Sequence, residues 1–268
     1  MPKHPKAEPQ PEPGEAPPHV QPEPEAPPRT DLVTYDALYQ EELKRNLHGV
    51  IPRLPLIRML HAGALMFEIQ DDLTGKPRRV EQIEGIMLDH QRVNAWWEEE
   101  YARGGRRHPA CWSMDALRPD AMAFPIQSER CAICAQNQYG SRGRGKACKN
   151  LRRLLIKLDA SLLPYILTVP PTSLKEIDRY LTALTNVEIP ASAAVTQFTL
   201  TAAKNDDGIA YSLLTPTFRE QIPVNVWAKT IVPLKKQFRD FFRQQTIETE
   251  EYFPDTQGTE EGNHEEEC

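Results

Sequence analysis

The sequence predicts a mainly β fold with flanking helices, in the α+β class. Three observations carry that reading. Short runs of strand-forming residues recur at hairpin spacing, one amphipathic helix stands between two such hairpins, and strands and helices do not alternate as a doubly wound sheet requires.

Residues 1–30 repeat PxP, APP and EP and hold 11 of the 25 prolines, with few apolar side chains. Too little surface can be buried there to offset chain entropy, so residues 1–31 read as a disordered, partly polyproline-II arm. Residues 34–48 place Leu38, Leu43 and Leu47 near helical spacing and end at Gly49, which predicts a helix. Pro52 and Pro55 then interrupt regular structure. The run ALMFEIQ (64–70), the turn DDLTGK (71–76) and VEQIEGIML (80–88) predict a first hairpin.

LRRLLIKL (151–158) and LPYILTV (163–169) read as the next two strands. LKEIDRYLTALT (174–185) follows as a helix, with Leu174, Ile177, Leu181 and Leu184 on one face and Ser173 and Glu176 at capping-box spacing. VTQFTLTA (195–202) and IAYSLLT (209–215) flank KNDDG as a second hairpin, with Phe198 and Leu200 on its core side. VPLKKQFRDFFRQQ (232–245) reads as a last helix with Pro233 near its first turn and Leu234, Phe238, Phe241 and Phe242 on its apolar face. Chain beyond Thr246 reads as a disordered acidic tail, 247–268. The ordered domain is thus expected over 32–246, with 103–150 inserted, and the pattern suits a small Greek-key barrel of the OB type.

The insertion carries Cys111, Cys131, Cys134 and Cys148, spaced C-x19-C-x2-C-x13-C. Four thiolates satisfy tetrahedral zinc and leave no open position for catalysis, so a structural zinc ion is the expectation. His108 is a rival fourth ligand, and a CxxC redox pair is the alternative, although no strand precedes it. Five cysteines in 268 residues form no disulfide framework. The insertion is poor in apolar side chains, so a metal would supply stabilisation that burial cannot. Gly140–Ala147 matches G-x4-G-K of a phosphate loop, but Ala147 stands where Ser or Thr is needed and no apolar strand comes before. A basic glycine-rich loop, its amides and guanidiniums facing phosphates, is the better reading.

Charge is distributed unevenly. The net charge of −6 conceals −3 in residues 1–31, −9 in 247–268 and +6 in the body, with +9 concentrated in 101–157. A cationic body attracts polyanions, and an acidic tail competes for that patch or recruits proteins. Trp96, Trp97, Trp112 and Tyr139 interleave with Arg103, Arg106, Arg107, Arg142, Arg144, Lys146, Lys149, Arg152 and Arg153. Cations mixed with aromatic faces are what single-stranded nucleic acid requires, DNA or RNA. Of the adjacent pair Trp96 and Trp97, alternation on a strand turns one outward to stack on a base. No run of 18 apolar residues spans a membrane, and Met1–Thr30 lacks the apolar core of a signal peptide, so a cytoplasmic location is expected.

The block CAICAQNQYGSRGRGKACKN followed by LRRLLIKL and LPYILTVPPTSLKEIDRYLTAL resembles a family of uncharacterised phage and mobile-element proteins, over residues 108–185. In architecture the chain is similar to zinc-bearing OB-fold single-strand binders, namely the C-terminal domain of the large replication protein A subunit and the T-even phage helix-destabilising protein. The resemblance implies zinc on the four cysteines, single-stranded DNA binding in phage-type replication or recombination inside a bacterial host, and replication or recombination proteins as partners of the tail. The tail departs from those of bacterial single-strand binders by ending EEEC, without an aromatic tip. Two other classes stay open. One is a zinc-stapled adaptor. The other is a metal-dependent nuclease using Asp71, Asp72, Glu84, Asp89 and His90, whose spacing matches no nuclease motif.

Overall fold

The fold is that of a computed structural model, which describes residues 38–39, 41–43, 45–60, 64–71, 73–98, 108–159, 161–205, 208, 210–248 and 251. The arm, the greater part of the tail, and Arg103, Arg106, Arg107 and Asp72 lie outside them. Two compact units are distinguished, 1–50 and 51–268. The first contains the expected helix, with helical residues among 38–46 and Gly49 at φ 74° after it.

The second unit is mainly β. Nine strands form one sheet: β1 (Leu56–Met59), β2 (Phe67–Ile69), β3 (Arg78–Val80), β4 (Gln82–Trp96), β5 (Cys111–Ser113), β6 (Lys149–Leu158), β7 (Tyr165–Val169), β8 (Ala194–Lys204) and β9 (Ala210–Gln221). They run in the order β3-β2-β1-β7-β6-β4-β8-β9, with β5 added to the far end of β4. All pairings are antiparallel except that of β1 with β7. The path is open, with β3 and β9 as its end strands. The second expected hairpin forms as β8 and β9; in the first, β2 pairs with the short β3, while the run expected as its partner opens β4 from Gln82 and pairs with β6 and β8 instead. β1 follows directly on the prolines at 52 and 55; they lie before the strand, so every residue of LIRM keeps its amide, and β1 pairs with β2 on one side and β7 on the other.

The 15-residue β4 is the hub, pairing β6 along most of its length and β8 at its start. Gly85 stands where both partners meet it. A Cβ there would lie 2.7 Å from the Lys157 carbonyl oxygen, so no other residue fits without moving β6.

Helix α1 (Leu174–Asn186) covers one face of the sheet and α2 (Val232–Gln244) the other. Alternation along β6 divides the two cores. Leu154 and Ile156 point to Ile177, Tyr180 and Leu184 of α1, while Leu155 points to Phe238 and Phe242 of α2. The expected apolar faces of both helices are the buried ones, and Phe198 and Leu200 are core residues. The capping box is not formed. Ser173 Oγ instead accepts the Leu214 amide at 3.0 Å, and Glu176 takes Arg179 at 2.6 Å, because the strand edge is the nearer orphan donor.

The boundary expected at Thr246 is also corrected. Ile247 is fully buried among Val93, Ala95, Trp97 and Leu151, and the Glu251 side chain is enclosed as well. The first turn of the acidic segment therefore belongs to the folded unit. Among the described residues no helix is long and apolar enough to cross a membrane.

Candidate metal centre and nucleic-acid interface

The four cysteines come from three places in the chain. Cys111 opens β5 opposite Trp96, Cys131 and Cys134 bracket a 3-10 turn at Cys131–Ile133, and Cys148 precedes β6. Two backbone bonds draw these pieces together: the Cys131 amide donates to the Leu117 carbonyl at 2.9 Å, and the Cys148 amide to the Gln136 carbonyl at 2.8 Å. All four thiols line one cavity of about 20 Å³ with Trp96 and Trp112. They are free; Cys134 and Cys148 are buried. Burial pushes the Cys148 thiol up to about 12, and the neighbouring Cys134, Cys131 and Cys111 push in the same direction.

Among the described residues, no three His, Cys, Asp or Glu side chains are drawn into a ready-made metal cage. The geometry is that of one cavity shared by four sulfurs, not of a coordination sphere. The donor chemistry nonetheless fits a borderline-soft ion: four sulfurs, two indole rings, side-chain amides and, among the described residues, no carboxylate on the cavity wall. His108 is exposed and does not line the cavity.

A ladder of amides ties this segment to the sheet. Asn150 Nδ2 donates to Asn94 Oδ1 at 2.7 Å and to Asn137 Oδ1 at 2.9 Å. Asn137 Nδ2 donates to the Cys131 carbonyl at 2.8 Å, and Lys146 Nζ donates to Asn150 Oδ1 at 3.1 Å. Nothing in the sequence pattern marked Asn94, Asn137 and Asn150 as a unit, since they lie on β4, on a 3-10 turn and on β6.

The glycine-rich loop is a tight antiparallel turn with Arg142 bridged to Gly145 and with Gly140 and Gly143 at positive φ. Its amides are spent on the loop itself. Gly140 donates to the Gly145 carbonyl at 2.9 Å, Gly145 to Arg142 at 3.0 Å, Ser141 to Gln138 at 3.2 Å, and Ala147 to Ser141 Oγ at 2.9 Å. The amides of Gly140, Ser141, Gly145 and Ala147 therefore do not face outward to phosphates as expected; side chains remain. Tyr139 is 82% exposed, and Lys146 Nζ lies 5.0 Å from its ring centre. Arg144 is exposed, and Arg142 is half-buried, donating to the Trp97 carbonyl at 3.3 Å. Tyr139, Lys146, Lys149 and Asn150 border a groove of about 510 Å³ lined elsewhere by Met59, Leu60, Pro170–Thr172, Leu174, Ala210–Ser212 and the edge of Glu251.

The remaining expected contacts are placed differently. Trp96 and Trp97 are both buried, so neither offers a face to a base. Alternation holds, but both faces are covered: Trp97 packs with Val93 and Ala95 on Ile247, while Trp96 packs on Ala147 and Cys148. Trp112 is half-buried beside Trp97. Arg153 is fully buried, its Nε and Nη2 both donating to Glu251 at 2.9 Å, and offers no donor to solvent. Arg152 is buried on the opposite face and pairs with Asp178 at 2.7 Å.

The acidic residues weighed for a nuclease serve separate local roles. Asp71 accepts the Leu73 and Thr74 amides and the Thr74 hydroxyl, which hold its carboxyl below the usual range. Glu84 faces Arg219 at 3.7 Å, and Asp89 faces Arg243 at 3.2 Å. No family model, curated protein or solved structure matches the chain.

Proposed function

We propose that the protein binds single-stranded DNA, in phage-type replication or recombination, with a structural zinc ion on Cys111, Cys131, Cys134 and Cys148. The observation that carries the reading is Tyr139, an exposed ring beside a cation at the mouth of a groove bordered by Lys146 and Lys149. A polymer with flat bases and a regular anionic backbone uses both features at once. In this reading the curled sheet plays the part that an OB-type barrel plays in zinc-bearing single-strand binders, with 103–150 as its metal-stapled insertion. Zinc would tie the two 3-10 turns to β5 and β6 and so fix Tyr139 and Lys146 relative to the sheet. The acidic tail recruits replication or recombination proteins and competes for the cationic face.

The test is fluorescence anisotropy of labelled oligo-dT. Binding should weaken by on the order of a decade or more between low and moderate salt, as several phosphate contacts require. Absence of binding at low salt overturns the reading, and clean cleavage of the labelled strand with Mg²⁺ or Mn²⁺ replaces it with the nuclease.

A further inference from the structure

A second cleft, of about 280 Å³, opens between β4, β6 and the first turns of α1. It shares Asn150 and Leu174 with the groove beside Tyr139, so the two depressions adjoin. Its wall holds Arg92, Arg152, Asn94, Asn137, Asn150 and Asp178.

The charges in this cleft do not balance. Arg92 and Arg152 are directly opposite one another on antiparallel strands, an arrangement that costs stability unless something anionic stands between them. Asp178 is the carboxylate that does so, at 2.7 Å from Arg152 and 3.8 Å from Arg92. One half-exposed carboxylate faces two guanidiniums. Arg152 is 4% exposed, and its Nε is buried without a hydrogen-bond partner in the cleft wall. A buried guanidinium N–H left unpaired is expensive, and it marks a place for a further acceptor. The guanidinium fork is shaped for a tetrahedral oxyanion.

We propose that this cleft is a phosphate site, taking one phosphodiester of a strand whose bases pass Tyr139, with Arg92 and Arg152 as donors and Asp178 as the group that holds them until the strand arrives. The inference rests on the single-strand reading above. It adds Arg92, which lies outside the basic segment of the sequence, and it assigns Asp178 a competing role.

Oligo-dT titrations over a salt series test it with wild type, Arg92→Gln and Asp178→Asn. Arg92 is exposed, so its variant folds. Loss of one phosphate contact should lower the slope of log K against log salt by about 0.7. Asp178→Asn should tighten binding by about 2–5-fold, a gain that a folding defect does not imitate. An unchanged slope in Arg92→Gln, or weaker binding by Asp178→Asn at a Tm equal to wild type, overturns the site while leaving the single-strand reading in place; if Asp178→Asn loses Tm, the Arg92→Gln slope decides. No binding by wild type overturns both. Inorganic phosphate separates a strand from a free anion. If it raises Tm in wild type and not in Arg92→Gln, while the dT slopes coincide, the site serves free phosphate and the strand assignment fails.

Discussion

Arg153 and Glu251 meet through two parallel hydrogen bonds of 2.9 Å at a point where neither side chain reaches solvent. The pair is fully provided for. Arg153 also donates to the Gln245 carbonyl at 2.6 Å, and Glu251 accepts the Thr168 hydroxyl at 2.7 Å and the Glu248 amide at 3.2 Å. The ion pair thus fastens the chain after α2 to β6 and β7. Removing one partner leaves a buried charge alone. Glu251→Gln should cost about 3–5 kcal/mol in urea unfolding, against under about 1 kcal/mol for Glu248→Ala, which breaks the exposed pair with Arg53.

Where the acidic segment is cut should decide what the cut does. Deletion of 247–268 removes Ile247 and Glu251 from the core and should lower Tm sharply. Deletion of 253–268 keeps both, yet removes six carboxylates and no Lys or Arg. It should leave Tm within a few degrees and tighten oligo-dT binding, most at low salt. Equal loss of stability from the two cuts would show that the latch is not at Glu251.

One zinc ion per chain is expected by metal analysis. Cys134→Ser should abolish it and expose 108–148 to protease, because Leu117, Met122, Phe124, Ile126 and Ile133 are exposed there and do not pack into a core of its own. Cys268→Ser, outside the four-cysteine set, should leave both unchanged. Full zinc content in Cys134→Ser would move the ligand set elsewhere.

Tyr139 and Trp96 separate stacking from packing. Tyr139→Ala should cost about 1–3 kcal/mol of oligo-dT affinity with no change in Tm, and Tyr139→Phe almost none of it. Trp96→Ala should do the reverse, since its indole is spent on Ala147 and Cys148. Both readouts are needed, as affinity alone would confuse a lost contact with a loosened loop.

Much of this molecule was legible where a residue's neighbours are local. The second hairpin, both helices and their apolar faces follow from period and turn chemistry. The gathering of four cysteines at one cavity follows from composition. What stayed hidden depends on partners far away in sequence. The Arg152–Arg153 doublet reads as a basic patch, yet on a central strand successive residues face opposite ways, so one meets α1 and the other the chain beyond α2. Trp96 and Trp97 are both buried because the cysteine segment covers one face of the end of β4 and Ile247 the other, which composition does not announce. Glu251 looks like any other member of an acidic run until Arg153 is placed across from it.

His90 ties stability to pH. Partial enclosure of its ring lowers its pKa below 6.5, and Arg152, Lys235 and Arg243 add to that effect against the opposing Asp89. The sign follows from proton linkage. Above pH ~6.5 the imidazole is neutral in both folded and unfolded chains and contributes nothing to the pH dependence. As pH falls through that value, the unfolded chain takes up a proton that the folded state resists. Stability therefore declines until the folded pKa is passed, and then this contribution levels off. Urea midpoints at pH 7.5 and 5.5 should differ more for wild type than for His90→Gln. An equal drop in both would assign the acid sensitivity to carboxylates and leave His90 without a role in it.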